Sequence, residues 1–351
     1  MRLISTRLLK EGDIIGRDIL SHEGSVLLKH DTRFKEVFKN KLLERDIFEV
    51  YIKDKISEGI EPVDIIPYEA KQIIINDIKT QYESLENHFE MNIETLTKVT
   101  DLLIEELMQK DLVFEVDDIK TNDNYTYEHC IAVAMMSHLV CDKLMIPTEQ
   151  KKQIVLGALI HDIGKVVIPK DILNKPDRLT DEEYMMMKTH SEMGYSMIKD
   201  NPAISAVTKL VVLCHHERED GSGYPLGKGT ELHIGAKIVG ACDFFHALIS
   251  NRCYRRGLPV NEVVAIAQKE PINPQIRTII EHSLAYYPVG CMVQLNDGSI
   301  AIVEQNFSAD VKRPLLRVVK RECDGNKQDI YKIDLRKETD YYIEKRYMGN
   351  I

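Results

Sequence analysis

The feature that most constrains this chain is a scattered set of residues of the types that bind metals. Five histidines and two aspartates recur within apolar-periodic segments, and the members are spaced roughly 25 to 32 residues apart, about one helical hairpin. The set comprises His129, His161, Asp162, His190, His215, His216 and Asp243. These separations are too long for a zinc finger but suit ligands carried on successive helices. The pattern therefore predicts a helical bundle with a two-metal centre where its helices converge.

Four of these residues form two adjacent pairs, His161-Asp162 and His215-His216. A helix turns through about 100° per residue, so neighbouring side chains on a regular helix diverge. Adjacent ligands therefore suit helix ends, and Gly164 fits such an end. A carboxylate such as Asp162 can bridge two cations through its two oxygens, while imidazoles fill terminal positions. Imidazole and carboxylate ligands without thiolates favour Fe, Mn or Zn and argue against a purely structural zinc site.

Three other histidines are better explained by packing. A single histidine on an apolar helix is more often a hydrogen-bonded core residue than a ligand, and we interpret His138, His233 and His246 in that way. Core packing alone does not explain the seven-residue set, because each buried polar group needs a partner. We therefore expect the set to be a metal site.

The bulk composition limits the domain count and the partners. A length of 351 residues predicts two or three domains, and a net charge of −10 argues against non-specific binding to nucleic acid. The seven cysteines form no CxxC pair, which suits a reducing cytosol. No stretch approaches the ~18 apolar residues of a membrane span. We expect a cytoplasmic protein with no nucleic-acid partner and no membrane span.

Changes in sequence pattern divide the chain into four parts. Residues 1–66 mix short apolar runs with turn signals and predict a small α+β domain, and residues 67–120 predict one or two long connecting helices. Residues 121–284 predict successive helices with short connectors, and residues 285–351 predict a small β domain. The predicted fold class is mainly α, a helical bundle flanked by a small N-terminal α+β domain and a small C-terminal β domain.

Local signals predict helix starts and one apolar seam. The predicted starts in the central part are Pro147-Thr148, a capping box of Thr180 with Glu183, and Asn201-Pro202. In the connecting segment, apolar residues step by four, three and four positions, at Ile78, Tyr82, Leu85 and Phe89. This seam is too short to decide between packing against the bundle and a homodimer interface, so both alternatives stay open.

The residues around the adjacent pairs resemble a known family. Residues 161–165 read HDIGK, an HD signature, and residues 215–225 read HHEREDGSGYP, which resembles the HHExxDGxGYP signature of the HD-GYP family. The resemblance extends over residues from roughly 120 to 270. It also includes Tyr125-Thr126, Lys175-Pro176, Lys188-Thr189-His190 and residues 243–248. It implies an HD-type helical bundle and a metal-dependent phosphodiesterase that opens the bacterial second messenger cyclic di-GMP.

The resemblance implies that all seven residues of the set hold two divalent metal ions, most often Fe or Mn, with Asp162 bridging them. Some similar proteins have a glutamate four residues before the first histidine, which adds a third metal. Tyr125 occupies that place here, so two metals are expected. This chain also departs from the family pattern at His246, where an acidic residue is usual, and at Asn251.

The resemblance also implies substrate contacts. Asp162 and Lys165 would be catalytic, with Lys165 facing the scissile phosphate. The loop residues Gly223, Tyr224 and Pro225 would contact the substrate and a signalling-protein partner. Arg252 and Arg255, three residues apart, would hold phosphate.

The implied reaction is in-line attack on phosphorus by a hydroxide that bridges the two metals. The product would be pGpG, and further cleavage to GMP is left open. Two alternatives remain: a non-catalytic receptor for cyclic di-GMP, and a phosphohydrolase acting on another cyclic nucleotide or dinucleotide, because nothing in the sequence reads the base.

Overall fold

The computed structural model of the chain divides into two compact units. It describes residues 1–20, 25–45, 47–62, 64–88, 90–108, 113–115, 125–175, 177–250, 257–320 and 330–349, with only the backbone of residues 125 and 320. The terminal unit comprises Met1–Val63, Val113–Asp123 and His282–Ile351. The helical unit comprises Asp64–Leu112 and Asn124–Glu281. The mainly α fold class is confirmed.

The terminal unit is built from short strands and one short α-helix. Its elements are β1 Arg2–Ser5, β2 Ile14–Ile15, β3 Ile19–Leu20, β4 Val26–Leu28, α1 Lys39–Leu43, β5 Glu49–Lys53, β6 Met292–Leu295, β7 Ile300–Gln305, β8 Leu315–Lys320, β9 Tyr331–Asp334 and β10 Ile343–Arg346. Short 3-10 turns lie at Thr6–Leu8, Glu36–Phe38 and Lys55–Ser57. All strand pairs are antiparallel, in sheets ordered β1-β5-β2, β3-β4 and β10-β6-β7-β8-β9.

Strand β7 explains why the two ends of the chain share one unit. Side chains alternate between the faces of a strand. Ile300 and Ile302 join a core with N-terminal residues such as Ile15 and Phe34, while Ala301 and Val303 join a second core with β8 and β9. The sequence pattern predicts separate N-terminal and C-terminal domains. The structure differs because Ile300 and Ile302 are buried in a core that contains N-terminal side chains.

The helical unit contains the remaining α-helices. They are α2 Tyr68–His88, α3 Ile93–Leu107, α4 Tyr125–Lys143, α5 Thr148–Ile160, α6 Lys170–Leu173, α7 Asp181–Lys188, α8 His190–Ile198, α9 Ala206–Cys214, α10 Ile234–Ile249, α11 Val260–Ala267 and α12 Pro274–Glu281. Short 3-10 turns lie at Ile163–Val167 and Gly229–Glu231. Within this part of the chain, α4, α5, α9 and α10 pack together. Helices α4 and α10 carry His129 and Asp243, and the pairs His161-Asp162 and His215-His216 directly follow α5 and α9.

Two of the three predicted helix starts are confirmed. Helix α5 begins at Thr148 after Pro147, and Thr180 with Glu183 forms the reciprocal capping box that starts α7. The third is wrong, because α9 begins at Ala206, where the Ser205 side chain accepts a hydrogen bond from the Thr208 backbone N–H. That bond satisfies a free N–H at the helix start, as a cap requires.

The apolar seam of α2 packs within its own unit. Ile78, Tyr82 and Leu85 are buried, and the Tyr82 ring meets the Tyr127 ring of α4 edge to face at 5.4 Å between centroids. Phe89, the fourth seam residue, lies outside the described residues. These contacts favour packing against the bundle over a homodimer interface. Among the described residues, no helix combines the length and the hydropathy that crossing a bilayer requires.

Candidate metal centre

All seven predicted ligands converge in the helical unit. His129 lies on α4 and Asp243 on α10; His161 follows α5 directly, His190 is the first residue of α8, and His215 follows α9 directly. Both adjacent pairs therefore lie at helix ends, where the chain leaves the helical path. The structure brings the whole set together, and its role as a ligand set stays a prediction.

The ligand-type atoms of the seven predicted residues form two groups that meet at Asp162, and the Cys130 thiol forms a third, overlapping group with His161 and Asp162. One group contains Asp162 with His190, His215 and His216, and the other contains His129, His161 and Asp243. Within each group the atoms lie within 4.8 Å of one another. Oδ1 of Asp162 lies 3.5 Å from Nε2 of His190 and 4.0 Å from Nε2 of His215, both of the first group. Its Oδ2 lies 3.4 Å from Nε2 of His161 and 3.8 Å from Nε2 of His129, both of the second.

Asp243 also contacts both groups. Its Oδ1 lies 3.1 Å from Nε2 of His129, and its Oδ2 lies 3.8 Å from Nδ1 of His216. The carboxylates of Asp162, which is buried, and Asp243, which is partly buried, thus lie between the two sets of imidazoles and contact both. This arrangement suits two cations held a short distance apart, because each carboxylate has an oxygen for either side.

Backbone carbonyls orient three of the histidines. Nδ1 of each ring donates to the carbonyl three residues earlier, at 2.7 Å for His161, 2.7 Å for His190 and 2.9 Å for His215. These carbonyls lie in the last turns of α5, α7 and α9, where helical carbonyls lack intrahelical partners. The bonds fix Nδ1 as the protonated nitrogen and leave Nε2 free to bind a cation.

His246 orients His129 in a similar way. Nδ1 of His246, one turn beyond Asp243 on α10, lies 2.7 Å from Nδ1 of His129. For Nε2 of His129 to bind a cation, Nδ1 must carry the proton and donate it to His246. The sequence predicts that His246 is a core histidine. In the structure His246 is buried, and its ring contacts the predicted ligand His129. The position of His246 one helical turn from Asp243 is the one feature of the sequence that points to this contact.

The other two histidines have local roles. His138 is buried, as a core residue should be. His233 is half-buried, and its Nδ1 accepts a hydrogen bond from the Gly235 backbone N–H at the start of α10. The core interpretation of His233 is therefore wrong, because the ring serves as a helix cap.

Protonation states in the centre are set by burial and by neighbouring charge. Burial raises the pKa of Asp162, but Lys165 and the histidines hold it well below its usual range. Burial also raises the pKa of Asp243, and the hydrogen bond from His129 leads the effects that hold it well below its usual range. Both carboxylates are therefore ionised.

Burial lowers the pKa of four imidazoles, His129, His190, His215 and His216, and takes that of His216 to about 3. Burial also acts to lower the pKa of His161, but Asp162 outweighs it, and the pKa rises to about 10. Neutral imidazole and ionised carboxylate are the forms that bind metals, so a cation at His161 must displace a proton.

One buried atom tests whether the residues fit a cation. Nε2 of His161 is buried beside Oδ2 of Asp162 at 3.4 Å, which is an ion-pair distance without a hydrogen bond. A bound cation would satisfy this nitrogen more fully than that contact does. Together with the oriented Nε2 atoms and the two carboxylates, this shows that the donor set fits divalent cations of the Fe, Mn or Zn type.

Lys165 stands beside the two groups. It lies in the 3-10 turn after Asp162, donates from Nζ to Oδ2 of Asp162 at 2.5 Å, and keeps 27% of its side chain exposed. Burial lowers the pKa of Lys165, but Asp162 outweighs it and raises the pKa, so the ammonium stays charged. A Cβ on Gly164 would lie 1.9 Å from the His190 carbonyl oxygen, so only glycine lets this turn lie against α8.

The loop at residues 220–225 folds back onto the histidines. The Tyr224 ring stacks on the His216 ring, with centroids 4.7 Å apart and planes inclined by 26°. A Cβ on Gly223 would lie 2.4 Å from Cα of Glu217, so the loop needs glycine there. Pro225 is half-buried beside Tyr224. The structure thus places Gly223 and Tyr224 against the centre, whereas Arg252 and Arg255 lie outside the described residues.

Comparisons with known proteins agree with this geometry. The family profile of the HD domain matches residues 103–273. The chain is 35% identical over 205 residues to the cyclic di-GMP phosphodiesterase PA4108 of Pseudomonas aeruginosa, covering 57% of this chain and 49% of that protein. Residues 103–273 of this chain are therefore similar to HD-domain proteins, in agreement with the HD-GYP resemblance of the sequence.

Two further proteins are similar to this chain. The 3'3'-cGAMP-specific phosphodiesterase 1 of Vibrio cholerae is 33% identical over 197 residues, covering 52% of this chain and 44% of that protein. Bd1817, an HDG"Y"P protein from Bdellovibrio bacteriovorus, has a solved structure that matches with a TM-score of 0.50 at 18% identity, covering 80% of this chain and 97% of that chain. This likeness supports the fold. The chain spans about half the length of the curated relatives it matches.

Proposed function

We propose that this protein is a metal-dependent phosphodiesterase that hydrolyses cyclic di-GMP to pGpG, and the test below also reports whether pGpG is cleaved further to GMP. The observation that carries the proposal is the position of Asp162, whose two oxygens face two different groups of histidines. The names of the relatives support the substrate class, because PA4108 is a cyclic di-GMP phosphodiesterase.

The proposed cofactor is a pair of divalent ions, Fe or Mn. His190, His215 and His216 would hold one ion, His129 and His161 the other, and the two aspartates would contact both. When bound, the ions would supply the Lewis acidity that activates water and neutralises charge on the phosphoryl oxygens. Tyr125 occupies the position where a glutamate would add a third ion, and its side chain lies outside the described residues. Two ions rather than three therefore stay a prediction.

The side chains around the centre would bind and orient the phosphodiester. Lys165 is partly exposed and charged, so its ammonium can meet a phosphoryl oxygen as negative charge develops there. Tyr224 covers His216 with its ring and would shield that ligand from bulk water. The seven residues, five of them buried and His216 and Asp243 partly buried, would hold the reacting groups in fixed positions, which lowers the entropic part of the barrier.

A second candidate substrate follows from another relative. The similar protein of Vibrio cholerae is a 3'3'-cGAMP-specific phosphodiesterase, so we keep 3'3'-cGAMP as an alternative substrate of this chain. The further alternative is a receptor that binds cyclic di-GMP without turnover. A signalling partner at residues 223–225, a homodimer and a cytoplasmic location also stay predictions.

The test is hydrolysis by protein purified without oxygen and loaded with Fe or Mn, with metal counted per chain. Cyclic di-GMP and 3'3'-cGAMP are supplied separately, and Asp162→Ala serves as the inactive control. We expect pGpG from cyclic di-GMP at about two metals per chain, because both groups must be filled. Asp162→Ala should lose both metal and turnover.

Other results would change the assignment. Metal and bound dinucleotide without product would favour the receptor. A loaded chain that cleaves only 3'3'-cGAMP would move the substrate assignment to that dinucleotide. An Asp162→Ala variant with full metal and full activity would refute the bridging role.

A further inference from the structure

A row of side chains leads outward from the metal centre. The Tyr224 ring stacks on His216, and Nζ of Lys188 lies 5.4 Å from the centroid of the Tyr224 ring. The same Nζ lies 4.6 Å from the centroid of the Tyr184 ring, one turn earlier on α7. Lys188 thus places its ammonium against two aromatic rings, two residues before the predicted ligand His190.

The outer end of this row is available to a ligand. The Tyr184 side chain is 49% exposed, a high fraction for a large aromatic ring. In the part of the chain that the structure describes, no carboxylate lies within 4.0 Å of the Lys188 ammonium, and its contacts are the two rings. The ring and the ammonium therefore offer a stacking face and an uncommitted charged donor next to each other.

We propose that Tyr184 and Lys188 bind one purine base of the dinucleotide and make the site prefer guanine. This inference rests on the proposed function and adds the residues that read the base. A base can stack on an aromatic face whatever its identity, so Tyr184 contributes affinity. Lys188 contributes selectivity, because guanine presents the two acceptors O6 and N7 to a donor.

Adenine does not satisfy the same donor. It presents the acceptor N7 beside an amino group, and that amino group is itself a donor that meets the ammonium unfavourably. The order of preference should therefore be cyclic di-GMP first, 3'3'-cGAMP second and cyclic di-AMP last. The ammonium also adds local positive charge in a chain whose net charge is −10, which favours an anionic ligand.

The test compares selectivity between variants of the full-length, metal-loaded protein. The Kd values for cyclic di-GMP and cyclic di-AMP are measured by calorimetry on variants that also carry Lys165→Ala, because turnover is expected to be slow in that background. The kcat/KM values are measured on variants that retain Lys165. Lys188→Met removes the charge, Lys188→Arg restores a donor, and Tyr184→Ala removes the stacking face. Lys98→Met is the matched control, since Lys98 on α3 has a side chain that is 74% exposed.

We expect Lys188→Met to lower the preference for cyclic di-GMP over cyclic di-AMP by about 5-fold or more. One specific contact to a base edge typically discriminates against the wrong base by at least that factor. Lys188→Arg should restore the preference, and Lys98→Met should leave it unchanged. Tyr184→Ala should weaken both ligands by a similar factor of about 5 or more, because stacking does not distinguish the bases.

Three results would overturn the inference: no preference for guanine in the unchanged chain, a preference that survives Lys188→Met, or unchanged affinities in Tyr184→Ala. Metal content and thermal unfolding check that each variant is folded. If Lys188→Met does not fold, Lys188→Leu, which also removes the charge, is measured in its place. A loaded, unchanged chain that binds no cyclic dinucleotide would instead refute the proposed function, so the two failures are distinguishable.

Discussion

Lys165 donates a hydrogen bond to Asp162, which also contacts the predicted metal ligands. Lys165 is not itself a metal ligand, because a charged ammonium has no lone pair with which to coordinate a cation. We predict that Lys165→Ala keeps about two metals per chain and slows hydrolysis about 100-fold, the typical cost of losing one donor to developing charge. Metal analysis and kcat on the same preparation check this. Unchanged turnover would make Lys165 a structural residue, and Lys98→Met controls for the loss of one positive charge.

His246 is the second residue with a separable role. Its Nδ1 contacts Nδ1 of His129, so His246→Ala should leave that ligand without its orienting partner. We predict metal affinity about 10 to 100 times weaker, as for other residues that hold a ligand in place. Equilibrium dialysis with Mn measures this. His138→Ala is the matched control, since it also removes a buried histidine; an equal loss there would show that general destabilisation is responsible.

The sequence predicts the ligand-type residues better than the side chains that support them. Adjacent pairs such as His161-Asp162 are visible in sequence because they need a helix end, and such ends leave local signals. The contact between His129 and His246 joins residues from α4 and α10, and only the packed fold shows that their rings meet. The two-sided contacts of Asp243 were likewise not predictable from spacing.

Among the elements, the loop that carries Tyr224 is held by one buried carboxylate. Glu217 accepts backbone N–H donors from Leu226 at 2.5 Å, Gly227 at 3.0 Å and Lys228 at 3.2 Å. Removing the Glu217 carboxylate leaves these three backbone N–H groups without their acceptor. We predict that Glu217→Ala lowers the free energy of unfolding by about 1 to 3 kcal/mol, with a smaller loss for Glu217→Gln, which keeps one acceptor.

Urea denaturation of the metal-loaded protein measures this loss, and limited proteolysis reports on the loop itself. Glu94→Ala on α3 is the control, because that side chain is 77% exposed. Equal stability of Glu217→Ala and the unchanged chain would mean that water replaces the carboxylate at no cost.

Helix boundaries were predictable where a side chain or a proline fixes them locally. Thr180 with Glu183 satisfies backbone donors reciprocally, and Pro147 sets the backbone before α5. The start of α9 was misplaced because Asn201-Pro202 and Ser205 are both good starting signals within one turn and a half. Tertiary packing of Thr208, whose hydroxyl donates to the Gln153 carbonyl at 2.8 Å, accompanies the later start.

For the whole molecule, the main difference from the sequence prediction is the shared core of the chain ends. Strand-type patterns in residues 285–351 predict β structure there, and the structure has strands β6 to β10 in this segment, because alternation is a local signal. They do not predict that Ile302 meets Ile15 and Phe34, because such pairing joins residues that are distant in sequence. Neither the composition nor the hydrophobic periodicity shows which distant residues pack together.

The shared core leads to a prediction about stability. Ile302 is fully buried, so Ile302→Ala should destabilise the terminal unit by about 2 to 5 kcal/mol. Hydrogen exchange resolved by segment should show faster exchange in residues 1–62 as well as in β6 to β8, with unchanged metal content. Ile154→Ala, a fully buried change in the helical unit, is the matched control. Faster exchange confined to β6 to β8 would contradict the shared core.

The predicted ligands come from five separate segments: α4, the end of α5, the start of α8, the end of α9, and α10. Each of the two cations, if it binds only the folded chain, would stabilise that chain by about 2.7 kcal/mol at 100 times its Kd. Chains without the cation would open more often and be degraded sooner by cellular proteases. The amount of this protein in a cell would then follow the supply of Fe or Mn.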